Sequence, residues 1–81
     1  MTTTVAADAA VAQIGAAARL RRRLPPPALR RAIREASGLS AAQVALPLGV
    51  TRQTLSNWER GTRTPSGPYL EAYIAVLDEL Q

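Results

Sequence analysis

With 81 residues, no Cys and no His, the chain holds at most one small domain, without disulfides, thiol nucleophiles, the usual metal ligands or the commonest general base. Ten basic residues, every one an arginine, outweigh six acidic ones for a net charge of +4, which points to a polyanionic partner and away from enzymatic chemistry. No apolar run approaches the roughly 18 residues of a membrane span and no signal-peptide pattern opens the chain, so a soluble cytoplasmic protein is expected, with no membrane, metal, cofactor or small-molecule ligand.

Residues 4–23 read as an Ala-rich helix that Thr3 or Thr4 can cap, interrupted only by Gly15. Its apolar face is thin: Val11, Ile14 and Ala18, then Ala17, Leu20 and Leu24 a step around. Such a helix buries little by itself, and either partial disorder or pairing with a second copy fits it. Arg19, Arg21, Arg22 and Arg23 follow. They are a candidate DNA arm entering a narrow minor groove or tracking the backbone, and equally a solvated basic stretch.

Pro25, Pro26 and Pro27 force extended backbone and end that helix. They divide an N-terminal helix or basic arm, 1–24, from a domain at 25–81. Pro27 suits the first position of a second helix, in which Leu29, Ala32, Ile33 and Ala36 recur at helical spacing before Gly38 stops it. Ser40 and Gln43 form an S-x-x-Q capping box that starts a third, short helix, whose last turn Pro47 is expected to distort. Gly49 permits the bend, Thr51 caps a fourth helix over Arg52 to Arg60, and Gly61 ends it. After the loop "GTRTPSGP", a final helix from about Pro68 to Leu80 carries Leu70, Tyr73, Ile74 and Leu77 on one face. A second apolar edge of Tyr69, Val76 and Leu80 makes these three, with Tyr73 beside them, the candidate dimer interface, the competing reading being that both edges enter one core. With Glu71, Asp78 and Glu79 and no base, this helix should sit away from nucleic acid.

Around Gly49 stand Val44, Ala45, Leu48, Val50, Leu55 and Trp58, the small and apolar residues that two short, steeply crossing helices need. Residues 29–77, with "GLS", "LGV" and "WERGTRTP", resemble the helix-turn-helix domain of the Xre family, the lambda-repressor-like and Cro-like DNA-binding proteins. The resemblance implies an all-α fold: a compact four-helix lambda-repressor-like helix-turn-helix domain preceded by an Ala/Arg-rich N-terminal helix or arm. It also implies that the fourth helix enters the major groove.

On that helix Leu55 and Trp58 should face inward, leaving Arg52, Gln53, Ser56 and Asn57 as candidate base-reading residues. Gln53 and Asn57, four apart, suit bidentate adenine contacts. Phosphate contacts are expected from the backbone N–H groups of Ser40, Ala41 and Ala42 and from Arg60, Thr62, Arg63 and Thr64. Many relatives carry Gln where this chain has Ala41, so their clamp on a phosphate and on the first recognition residue is absent. Pro47 and Gly67 are two further departures. Relatives often pair an Arg with the Glu of Glu-x-Gly, which implies an internal salt bridge between Arg34 and Glu59.

The function implied is a sequence-specific double-stranded-DNA-binding transcription regulator without enzymatic activity. Its expected form is a repressor acting as a homodimer on a palindromic operator, of phage or mobile-element type. The alternative is an antitoxin or protein-docking adaptor whose main partner is a toxin or RNA polymerase. A membrane-surface helix over residues 4–24 is disfavoured by the sparse apolar face.

Overall fold

A computed structural model describes residues 2–81, with side chains from residue 6 onward, and folds them into five helices: α1 Thr2–Arg22, α2 Pro27–Ala36, α3 Ala41–Leu48, α4 Arg52–Arg60 and α5 Pro68–Leu80. No strand occurs among the described residues, and none of the helices is long and apolar enough to cross a membrane.

α1 starts at Thr2, so Thr3 and Thr4 lie inside it rather than capping it; their side chains fall outside the described residues. Its 21 residues make a rod of about 31 Å. The rod ends in two tight turns, Arg23 N–H to Leu20 O and Leu24 N–H to Arg21 O, both 3.0 Å. Pro26, at φ −57° and ψ 152°, then carries the chain extended into Pro27, the first residue of α2.

α2 departs from its expected face. Of Leu29, Ala32, Ile33 and Ala36 only Ile33 is buried, while Leu29 is 47% exposed. The second buried residue of α2 is Arg30. Its guanidinium donates Nε to Pro25 O at 2.6 Å and Nη1 to Trp58 O at 2.8 Å. A buried polar group is tolerated once its donors are satisfied, and a cation at the C-terminal end of α4 also meets that helix's partial negative charge. Burial lowers the pKa of Arg30 below its ordinary value, with Tyr73 acting in the opposite direction.

α3 opens on the expected capping box: Gln43 N–H donates to Ser40 Oγ at 3.1 Å and Ser40 N–H to Gln43 Oε1 at 2.7 Å. Contrary to expectation the helix runs through Pro47 to Leu48. Pro47 stands one residue from the end and faces solvent, where a missing hydrogen bond is cheap. Val50 N–H reaches Ala45 O and Gly49 N–H reaches Leu46 O, the paired bonds that close a helix through a left-handed residue, here Gly49 at φ +73°. Thr51 then caps α4 by accepting from Thr54 N–H at 3.0 Å.

α4 ends the same way at Gly61, φ +75°. A Cβ there would stand 2.8 Å from Pro27 Cγ, so glycine is required both by the backbone angle and by the close passage of the linker. The start of α5 takes Gly67 at φ 57° and ψ −138°, a region essentially reserved for glycine. That accounts for Gly67 as a departure from the family pattern.

The core gathers Ile33, Val44, Ala45, Leu55, Trp58, Tyr73 and Leu77 from all four domain helices. Ala45 is the small residue on α3 that lets α4 approach, and Leu55 is fully enclosed. Trp58 and Tyr73 lie ring against ring, with centroids 5.0 Å apart. Most of the second edge of α5 is used here too. Tyr73 is 1% exposed, and Val76 and Leu80 are half-buried against the core. Tyr73 therefore cannot serve an interface with another molecule; of the four residues expected there, Tyr69 alone is exposed.

The Tyr73 hydroxyl is buried with no hydrogen-bond partner, an arrangement that costs about 1–3 kcal/mol. Burial, aided by Glu59 and opposed by Arg30 and Arg34, pushes its pKa up to about 12. Tyr73→Phe is expected to raise the melting temperature by roughly 4–8 °C, for about 1 kcal/mol regained. Because the unfolded phenol ionises near 10 while the folded one stays neutral to about 12, this tyrosine's contribution is intact below pH 10. It falls by about 2–3 kcal/mol as pH rises through 12. Thermal melts of the two proteins between pH 8 and 12 should diverge on that schedule, and parallel curves would refute it.

Candidate nucleic-acid interface

α4 turns Leu55, Trp58 and Glu59 inward, which at about 100° per residue leaves Gln53, Asn57 and Arg60 at the centre of its outer face. The three are joined. Gln53 Nε2 donates to Asn57 Oδ1 at 3.2 Å, and Arg60 Nη2 donates to the same oxygen at 2.6 Å. Asn57 thus has its acceptor occupied twice and holds both neighbours, whereas Gln53 keeps its carbonyl oxygen and Arg60 most of its five donors facing out. The expectation that Gln53 and Asn57 share a face is met; Arg60, expected at phosphates, joins them. Arg52 is exposed at the helix start.

Ser56 is separated from this row. It is half-buried and lines a cleft of about 230 Å³ between α2 and α4 with Arg31, Arg34, Glu59 and Arg60. Arg31 was not marked by its sequence context, although it stands three residues before Arg34 on the same side of α2. It is exposed and pairs weakly with Glu35 at 3.2 Å.

Behind the cleft Arg34 grips Glu59 with two parallel bonds, Nε to Oε2 at 2.6 Å and Nη2 to Oε1 at 2.9 Å, and its Nη1 holds Leu39 O at 2.9 Å. The expected ion pair is present and largely enclosed, the side chains being 13% and 6% exposed. The hydrogen bond to Glu59 raises the pKa of Arg34 above its ordinary value against the pull of burial. The pair fixes α4 to α2 and to the lead-in of α3 at once.

Ser40 is corrected in part: its N–H is taken by Gln43, so of the three N–H groups only those of Ala41 and Ala42 remain without a partner inside the helix. Thr62 and Arg63 both donate their N–H to Asn57 O, at 3.1 and 3.3 Å, and Thr62 Oγ1 does the same at 3.2 Å. Those bonds fold the loop tightly onto the end of α4, leaving the exposed side chains of Arg63 and Thr64 free to reach outward. Of the candidate arm, Arg19, Arg21 and Arg22 are exposed on α1, while Arg23 pairs with Asp78 on α5 at 2.8 Å.

The arrangement is therefore a short polar helix on a rigid base, flanked by cationic groups on both sides. It has no grouping of His, Cys, Asp and Glu among the described residues that could hold a metal ion. A family model described as helix-turn-helix matches residues 31–80. No match is found among curated proteins or among solved structures. The matched span runs from the middle of α2 to the end of α5 and contains the crossing of α3 and α4, so the chain belongs to the helix-turn-helix family of Xre and lambda-repressor-like DNA-binding regulators.

Proposed function

We propose that this chain reads an operator in double-stranded DNA by laying α4 in the major groove, and that it does so as a homodimer on a palindromic site to repress transcription. The observation that carries the reading is the row Gln53, Asn57 and Arg60, three hydrogen-bonding side chains tied together on the one face of α4 that the core does not use. Gln53 offers the donor and acceptor that adenine requires, Arg60 and Arg52 the donors that suit guanine or phosphate, and Asn57 sets their positions. The free N–H groups of Ala41 and Ala42 and the side chains of Arg63 and Thr64 flank the helix as phosphate contacts, while Ser40 and Thr62 hold the backbone that presents them. Arg31 and Ser56 add a further grip across the cleft beside α4.

One such domain makes few base contacts, so useful specificity needs two half-sites, roughly 34 Å or one helical turn apart. We take this regulator to be of the phage or mobile-element type, acting in the cytoplasm. The test is selection of bound sequences from random duplexes. The expected product is a palindrome of two short half-sites about 10 base pairs apart, centre to centre. Recovery of no preferred sequence at low salt would refute the reading and favour a protein-docking role with a toxin or polymerase subunit.

A further inference from the structure

α1 leaves the domain as an unsupported rod. Its contacts run to α5, and just beyond it Arg23 binds Asp78 while Leu24 packs on the core. From Ala6 to Ile14 every residue is exposed, Val11 and Ile14 at 70% each. The molecule measures 54 Å along its longest axis against 22 and 21 Å across. Helices in water draw most of their stability from packing an apolar face, and the first half of α1 has no such cover.

The uncovered face has a definite order. Ala7, Val11 and Ile14, all exposed, and the half-buried Ala18 follow one another at steps of four, three and four, the spacing of a helix-pair seam. Leu20, half-buried, lies nine residues from Val11 and so half a turn around at about 100° per residue. The seam is turned away from that side.

Steps of four, three and four also read alike from either end. Two antiparallel copies related by a two-fold axis would set Val11 of one against Ile14 of the other, twice, with Ala7 against Ala18 outside them. Charge selects this direction. α1 has one acidic residue, Asp8, near its start and Arg19, Arg21 and Arg22 at its end. A parallel pair would crowd the arginines together. The antiparallel pair separates them and brings each Asp8 towards the arginine-rich end of its partner.

We infer that a second copy of this chain docks on α1, forming an antiparallel helix pair through Val11 and Ile14. The inference rests on the proposed homodimer and gives it a surface. With two large side chains per copy the seam is small beside the roughly 1,200 Å² of a standard interface. Pairing is therefore weak in free protein and is reinforced when two half-sites on one duplex hold the copies together.

Sedimentation of the full chain from about 1 μM to about 1 mM tests it. The wild type should climb towards twice its 8.6 kDa mass. Ile14→Asp should stay monomeric, its association weakened at least tenfold, with an unchanged melting temperature because the site is exposed. Ala16→Asp, the same charge on the far side of α1, should associate like the wild type. A wild type that remains monomeric throughout, or an Ile14→Asp variant that associates like it, overturns the inference. On duplexes recovered by selection, Ile14→Asp should bind a single half-site as tightly as the wild type and lose only the gain from a second half-site. A protein that selects no duplex defeats the operator reading, while sedimentation still decides the pairing.

Discussion

Glu59→Ala is expected to lower the melting temperature by roughly 12–24 °C, the counterpart of about 3 kcal/mol, because it strands the Arg34 guanidinium behind α4. The carboxylate accepts two bonds from Arg34, and both side chains are mostly enclosed. Removing it leaves a charge that water reaches poorly. Arg34 also holds Leu39 O, so any reorientation of the guanidinium to find solvent loosens the entry to α3 as well. For a domain of this size that is a large share of total stability. Below the transition, where the variant is still folded, affinity for DNA should change little, since Glu59 faces inward. A double variant, Arg34→Met with Glu59→Leu, should melt above either single variant, because an apolar pair of similar volume can replace a buried ion pair without loss. Equal falls in melting temperature and affinity for a folded Glu59→Ala protein would contradict the structural role.

Asn57→Ala should cost more in operator affinity than Gln53→Ala, although Gln53 is the side chain proposed to touch the base. A well-made bidentate contact is worth about 1–3 kcal/mol of discrimination, and Gln53→Ala should lose that at one base pair only. Asn57→Ala releases Gln53 and Arg60 together, since one oxygen holds both, so preference should relax at more than one position. The double variant should then be weaker than Asn57→Ala by less than the whole Gln53 effect, a coupling of about 0.5 kcal/mol or more. Strict additivity would mean that Asn57 acts alone. Melting temperatures should barely move, because the loop that folds on α4 binds the backbone oxygen of Asn57 rather than its side chain.

The parts of the fold that were legible in the sequence are those decided within a few residues. Ser40 with Gln43, Thr51 with Thr54, and the left-handed glycines at 49 and 61 are local chemistry, and they bound α3 and α4 correctly. The family pattern carried one longer link, Arg34 to Glu59, which lies 25 residues apart in the chain and no periodicity reveals. What stayed hidden needed three dimensions. Counting apolar positions assigned Leu29, Ala32 and Ala36 to the inside of α2, whereas Arg30 is buried there because carbonyls 5 and 28 residues away satisfy it. Two apolar edges on α5 could not be ranked by pattern alone: Val76 and Leu80 of the second edge pack half-buried against the core, whereas Tyr69 of that edge stays exposed. At the candidate interface the face of α4 could be read from helical spacing. The bond from Arg60 to Asn57, which changes Asn57 from a free reader to a hub, could not.

Three prolines and one arginine also make the corner between α1 and α2 stiff. Arg30 clasps the carbonyls of Pro25 and Trp58 together, so the departing rod takes its bearing from the end of α4 and not from a slack tether. Whatever is fused to its tip is consequently phased to α4. One residue inserted into the rod would swing that cargo by about 100° and advance it about 1.5 Å, whereas glycines appended beyond the tip would leave the bearing untouched.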